Sequence, residues 1–463
     1  MPSSAAPADP SLIDSRTAAW RLLTTLALVA LGNSSMYVVS VVLPTVQAEF
    51  GVGRGAASLP YTLMMVALGL GGILTGRLAD RYGIARVLGL GAAAVCAGYV
   101  WAAMAGSVWS FGLAHALLGF LGGAATFAPL MADTTLWWHK RRGIAVAICA
   151  SGNYVAGALW PPLAQWGIAH YGWRPTYLAL GLVCGAGMAL LALRMRQRPP
   201  AVQADAPTAA GQSVTGERPF GLPPAHAQWL LCVAGVACCV AMAMPQVHIV
   251  AYCTDLGYGA ARGAEMLSLM LASGIASRLL SGWICDHVGG IRTLLLGSVL
   301  QGVALLMFLP FDGLVPLYAI SAMFGLFQGG IVPSYAIIVR EHFAPREVGA
   351  RVGAVIMATM LGMALGGWMS GWIFDVTGSY RAAFLNGIGW NLLNLSIAGW
   401  LFLRTRGGGG RLDTSSSGTS AAPAPPTSPS SHRRTCATAA AAWPAPRQAS
   451  RASALRAPGA APR

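Results

Sequence analysis

Between residues 19 and 403 the chain is a succession of long apolar stretches separated by short polar breaks. Twelve runs can be marked, near 19–46, 56–79, 84–105, 108–132, 142–168, 175–194, 228–251, 263–284, 291–311, 314–338, 349–373 and 382–403. Each holds about 20 residues or more, enough to cross a bilayer. Inside lipid the backbone has only itself for hydrogen bonding, so the runs predict helices rather than isolated strands. Two longer polar stretches, rich in Pro and Ala, interrupt or follow them. The expected organisation is a cytoplasmic N-terminal segment (1–18), a first six-helix bundle (19–195), a linker (196–226), a second six-helix bundle (227–403) and a disordered basic tail (404–463).

The second bundle restates the first. Gly76-Arg77-Leu78-Ala79-Asp80-Arg81-Tyr82-Gly83-Ile84-Ala85-Arg86 returns as Gly282-Trp283-Ile284-Cys285-Asp286-His287-Val288-Gly289-Gly290-Ile291-Arg292, an offset of 206 from Asp80 to Asp286. Two unrelated landmarks share the period at 207: Arg174 with Arg381, and Gly122-Gly123 with Gly329-Gly330. Two homologous membrane bundles are how many secondary transporters are built. In each copy the glycines permit a sharp turn and close backbone approach, the aspartate can cap or pair with a helix end, and the arginines stay at the membrane surface. Gly76, Asp80, Arg81, Gly83 and Arg86, with Gly282, Asp286, Gly289 and Arg292, are therefore expected to latch adjacent helices in one state of a transport cycle; the plainer alternative is a structural turn.

Composition agrees with a membrane protein. The chain is 55% hydrophobic and 10% charged, with mean hydropathy +0.59, against about 25% charged residues in soluble proteins. Of 30 Lys and Arg, 18 fall on the side of the N-terminus, the even-numbered loops and the start of the tail, and four on the other: Arg54, Arg174, Arg262 and Arg381. The positive-inside rule then places both termini in the cytoplasm of an inner or plasma membrane. The net charge of +15 is spread over loops and tail, which argues against a nucleic-acid partner. The first run is too long for a signal-peptide core and contains Asn33-Ser34-Ser35, so it is expected to remain as the first helix. No C-x-x-C pair, phosphate loop, zinc-protease or serine-hydrolase motif is present, so neither an enzyme, a metal site nor a cofactor is expected, and no obligatory protein partner is called for.

Twelve spans, two repeats and the loop motif resemble the major facilitator superfamily over roughly residues 18–404. Trp137-Trp138-His139-Lys140-Arg141-Arg142-Gly143 and Ala150-Ser151-Gly152-Asn153 at helix 5, with Gln246-Val247-His248-Ile249-Val250 and Asp255-Leu256-Gly257-Tyr258 at the end of helix 7, resemble more specifically the monocarboxylate porters and the oxalate/formate exchanger of bacterial type. The resemblance implies an all-α membrane protein of twelve transmembrane helices in two six-helix bundles.

One cation lies within a span. Arg278 sits in helix 8, where insertion costs about 2.5–3.5 kcal/mol and an ionisable residue is usually functional. Gly274 and Gly282 share its face one turn away on either side, leaving bare backbone beside the guanidinium. An arginine there suits a carboxylate, held two-pronged; snorkelling or capping a carbonyl is the bland alternative. The resemblance implies the same role, with two departures: porters of the animal type carry an Asp where Gly274 stands, and the oxalate/formate exchanger adds a helix 11 lysine near Thr359. A single cation favours a singly charged substrate. His115, in His115-Ala116-Leu117-Leu118-Gly119, occupies a position tied to proton coupling in many relatives, and His248 follows the helix-bending Pro245; both are expected to couple protons or gate, or to be satisfied packing histidines. Asn33, Tyr37, Tyr61, Asn153, Tyr154 and Gln328 complete the expected substrate pocket, each also a candidate for bonding between helices. The expected function is secondary active transport of a small organic anion, read as a monocarboxylate, by proton symport or anion exchange. A multidrug or cation exporter and a transport-inactive membrane sensor are the alternatives.

Overall fold

Helices form where the apolar runs place them, and most extend further than the runs. The computed structural model describes residues 12–197, 219–344 and 347–407. Its principal helices are α1 (Arg16–Phe50), α2 (Arg54–Tyr82), α3 (Ile84–Ala103), α4 (Val108–Trp137), α5 (Gly143–Tyr171), α6 (Trp173–Arg194), α7 (Pro224–Asp255), α8 (Ala260–Val288), α9 (Gly290–Met307), α10 (Leu314–His342) and α11 (Val348–Thr377), all long and apolar enough to span a bilayer, and α12 (Tyr380–Gly407). In α12 the apolar run is diluted by Asn386, Asn391 and Asn394. Two of these are buried and bonded: Asn391 donates to the Ser298 carbonyl at 3.1 Å, and Asn394 joins Ser298 and Tyr335. Most of the linker and the tail expected to be disordered lie outside the described residues.

The two halves repeat the same packing. In the first, α1 lies on α5, α2 on α4 and α3 on α6; in the second, α7 lies on α11, α8 on α10 and α9 on α12. Gly83 (φ 83°, ψ 152°) and Gly289 (φ 86°, ψ 163°) turn the chain between α2 and α3 and between α8 and α9, in a left-handed region that only glycine enters without strain. The doubled glycines also match. Gly122 and Gly123 lie in a π-helical segment of α4, and Gly329 and Gly330 interrupt α10. There each helix presses onto its neighbour: a Cβ on Gly119 would lie 2.3 Å from the Met64 carbonyl oxygen, and one on Gly330 2.0 Å from the Ser281 hydroxyl.

The small-residue patterns divide. Gly362 and Gly366 press on the backbone of α7, and Gly367 and Gly371 on Tyr61 and Arg54 of the other half, as close crossings require. Gly72 and Gly76 face open space instead. The tight contact of that turn belongs to Gly71, against the Phe120 carbonyl.

Across the halves α1 meets α7, α2 meets α11 and α5 meets α8. The central helices are the most enclosed, with 83% of the apolar window of α1 and 78% of that of α7 buried, against 28% in α8. Outward, large apolar side chains such as Leu182, Leu190, Leu280 and Leu385 are exposed. Such an apolar belt matches a lipid surround rather than water.

Candidate functional site

Arg278 lies where α8 crosses α5, at the boundary between the halves. It is half-buried. Its Nη1 donates to the Ala150 carbonyl at 2.9 Å, and its guanidinium stands 4.5 Å from the centre of the Tyr154 ring. The Nε–H is buried without a partner. Tyr154 occupies the space beside Gly274, where a Cβ would fall 2.7 Å from the ring. The bare backbone on that side therefore receives an aromatic face, correcting the expectation of free room there; only Gly282, on the opposite side, faces open space. Tyr37 is buried beside Tyr154, Asn153 and Arg278, and its ring rests on Gly157. The Asn153 Oδ1 is buried and unpartnered. Arg278, Tyr154, Tyr37 and Asn153 thus form one cluster from α8, α5 and α1.

The other pocket candidates stand apart from the guanidinium. Asn33 sits at the break in α1 and bonds the Val29 carbonyl and Thr126, which is helix-to-helix bonding. Gln328 accepts from Gln246 at 3.0 Å within the second half. Tyr61 packs against Gly367 of α11 with its hydroxyl buried and unpartnered. His115 is fully buried in a cluster with Phe111 and Tyr177. Its Nδ1 bonds the Phe111 carbonyl at 2.8 Å, and its Nε2 faces the Tyr177 hydroxyl at 3.4 Å. A carbonyl only accepts, so Nδ1 carries the hydrogen and both ring nitrogens are used inside the first half.

A second cluster lies at the far end of the molecule, opposite the start of α1 and the end of α12, and the sequence reading passed over its centre. Arg54, 7% exposed, reaches from the start of α2 into the second half. It bonds Asp255 with both terminal nitrogens, at 2.5 and 3.2 Å, and donates to the Tyr380 hydroxyl at 2.8 Å. The Phe374 ring lies 4.4 Å from it. The Asp375 carboxylate accepts the backbone N–H groups of Arg54 and Gly55 at 2.6 and 2.8 Å, an acid from one half capping the first turn of a helix in the other. Gly53 and Gly55 admit this approach, since a Cβ on Gly53 would fall 2.7 Å from Asp375. His248 completes the cluster: Nε2 bonds the Gly367 carbonyl at 2.8 Å, and Nδ1 faces the Tyr380 hydroxyl at 3.2 Å. In the sequence Arg54 counted only as one of four far-side cations. The available signal was its flanking glycines together with acids at the ends of α7 and α11.

The repeated loops lie at the end where α1 starts and α12 finishes. Asp80 and Asp286 are exposed. Arg81 lies 5.3 Å from the Tyr82 ring, Arg86 bonds the Tyr82 carbonyl, and Arg292 lies 5.9 Å from the Phe402 ring. The helix-capping acid of the second copy is Glu341, whose carboxylate accepts Gly290 N–H at 3.1 and 3.2 Å.

Two like bundles, a half-buried cation at their boundary and an arginine-bound seam at one end define a membrane transporter. The chain belongs to the Major Facilitator Superfamily, whose family profile matches residues 23–318 and 266–445. It is 29% identical to monocarboxylate transporter 13 of Rattus norvegicus over 339 residues, 71% of this chain and 75% of that one. It is 25% identical to the uncharacterised MFS-type transporter YcxA of Bacillus subtilis (strain 168) over 342 residues, 72% of this chain and 82% of that one. Among solved structures, a bacterial homologue of the human lysosomal transporter Spinster, in an inward-facing and unoccupied conformation, superposes with a TM-score of 0.65 at 14% identity, covering 85% of this chain and 98% of that one. These relatives are transporters, and the protein is a multi-pass membrane transporter rather than an enzyme.

Proposed function

We propose that this transporter is a secondary active carrier of a small monocarboxylate, working by alternating access with both termini in the cytoplasm, and driven by proton symport or by exchange for another anion. The observation that carries this reading is Arg278: one terminal nitrogen is fixed by the Ala150 carbonyl, while the buried Nε–H has no partner. The Nε side of a guanidinium offers two parallel N–H groups that match a carboxylate. Tyr154 holds the plane of the fork, and Tyr37 and Asn153 supply polar atoms beside it. The site carries one positive charge, which one carboxylate neutralises. The buried carboxylate of Asp133 is already paired with Arg21 at 2.9 Å, leaving it poorly suited to the cation site that an exporter of organic cations would use. The monocarboxylate transporters among the relatives support the same substrate class.

Uptake of radiolabelled lactate into proteoliposomes tests the reading. Arg278→Lys keeps the charge and loses the fork, so it and Arg278→Ala are both expected to lose most uptake while still inserting in the membrane. Uptake at the wild-type rate by the Lys variant removes Arg278 from the site, and accumulation of cationic dyes in place of lactate identifies an exporter.

A further inference from the structure

The far-end cluster contains a titratable group at the joint between the halves. We infer that His248 is a proton-binding site that controls an outer gate, the gate being the Arg54 seam. The inference rests on the carrier reading above for its role in transport, though not for its test.

Directions of donation fix the chemistry. The Gly367 carbonyl can only accept, so Nε2 of His248 carries a hydrogen, and in the neutral ring Nδ1 is then the lone pair. The Tyr380 oxygen accepts from Arg54 and its own O–H is free to donate to that lone pair. A neutral histidine thus has both nitrogens satisfied in the closed seam, with Tyr380 relaying between it and Arg54. When Nδ1 takes a proton from water at the far face, both ring nitrogens become donors. The Tyr380 oxygen then stands between two cations, and its own hydrogen loses its acceptor, which is costly for a buried group.

The neighbouring acids offset this only in part. Facing His248 are Arg54 from α2, Asp255 from its own helix α7, Asp375 from α11 and Tyr380 from α12, with Tyr252 packed edge-on against Tyr380. Asp255 is held by Arg54, and Asp375 caps the first turn of α2. Each acid is thus occupied by a group from the other half. Protonation consequently favours parting of α2 from α7, α11 and α12, and the fraction of open gates rises as pH falls through the range in which histidine titrates.

Gly367 joins this gate to the central site. Its carbonyl holds His248, and its missing side chain admits the Tyr61 ring, whose nearest polar neighbours include Tyr37. Tyr37 in turn lies beside Arg278. A substrate that moves Tyr37 therefore acts on a packed contact that ends at the gate histidine.

The test needs no substrate. Spin labels on Gly106→Cys and Asp312→Cys, in far-end loops of opposite halves, report the separation of the halves in the full-length protein. Between about pH 8 and about pH 4, a range that takes in and extends below the span in which histidine ordinarily changes charge, a longer-distance population should appear. His248→Gln should keep the short population at both pH values, because an amide can donate to Gly367 and accept from Tyr380 without taking a proton. Tyr380→Phe should show the long population already at the higher pH. A pH-dependent shift that survives in His248→Gln overturns the inference and transfers the proton to Asp255 or Asp375; an unchanging distance in the parent overturns it outright. Lactate uptake fails separately if the substrate reading is wrong, since the distances are measured without substrate.

Discussion

The two halves share a skeleton and differ in chemistry. Helix pairings, turn glycines and doubled glycines recur at a spacing of 206 to 207 residues. The polar groups at the joint do not. Arg54, near the start of α2, crosses into the other half and is almost fully buried. Arg262, near the start of the corresponding α8, stays in its own half, bonded to Glu265 at 3.0 Å with half its side chain in the open. Arg278 likewise lies opposite Gly72 when the loop motifs are aligned, and Gly72 faces open space. Repeated residues build the frame, while residues found in one copy alone gather at the central site and the gate.

The frame should be the most sensitive to substitution, and symmetrically so. A Cβ on Gly119 would stand 2.3 Å from the Met64 carbonyl oxygen, and one on Gly325, its counterpart, 1.8 Å from that of Met270. Backbone oxygen cannot swing aside, so α2 must part from α4, or α8 from α10, and overpacking of this kind costs about 1–3 kcal/mol or more. Gly119→Ala and Gly325→Ala should each sharply reduce the yield of monodisperse protein and lower its melting temperature, whereas Gly72→Ala should match the parent. Size-exclusion profiles and thermal melts in detergent check this. Tolerance at one of Gly119 and Gly325 without tolerance at the other breaks the claim that the copies are packed alike.

The unequal arginines give the next effect. Arg54→Ala leaves Asp255, Tyr380 and Gln47 without their partner, while the Asp375 cap on the backbone N–H groups of α2 remains. Because Asp255 is 34% exposed, the loss should fall below the value for a fully buried pair, at about 1–3 kcal/mol. That is enough to shift a two-state carrier towards the form with its far end open. Arg262→Ala removes an exposed pair of the kind that contributes little. The far-end label distances should therefore lengthen in Arg54→Ala and remain at parental values in Arg262→Ala. Similar behaviour in both would mean that burial at the joint is not what distinguishes them.

The frame was largely legible in the sequence because it rests on local rules. Apolar length marked the helices, glycine spacing the turns and the repeat the two halves. Arg278 was legible for a related reason, since a cation within an apolar run stands out in one dimension. The Arg54 seam was not, because its partners at 255, 375 and 380 lie 201 or more residues away and each looks like an ordinary end-of-helix residue. Gly274 shows the same limit in reverse: bare backbone announces that something approaches closely, and Tyr154, rather than ligand, is what approaches.

A smaller effect is expected from the duplicated loops. If Asp80 and Asp286 latch the end where α1 starts in the alternate state, Asp80→Asn should slow turnover while leaving substrate affinity alone, because the residue lies well away from Arg278. Asp286→Asn should do the same to a similar degree if the copies are equivalent. Initial rates and equilibrium binding measured on the same preparation separate the two quantities. A large loss of affinity with normal turnover contradicts the latch.

The smallest effect concerns the two buried histidines. His115 is enclosed within the first half, with Nδ1–H given to the Phe111 carbonyl and Nε2 facing Tyr177. Nothing at that position spans the joint, so a change of protonation there has no direct lever on the separation of the halves. His248 contacts α11 and α12 and, through Tyr380, an arginine of the other half. His115→Gln should then leave the pH dependence of both far-end distance and lactate uptake as in the parent, with at most a modest drop in thermal stability from an altered aromatic cluster. Loss of pH-driven accumulation in His115→Gln, with the distance response intact, would place proton coupling inside a single half and separate it from the gate.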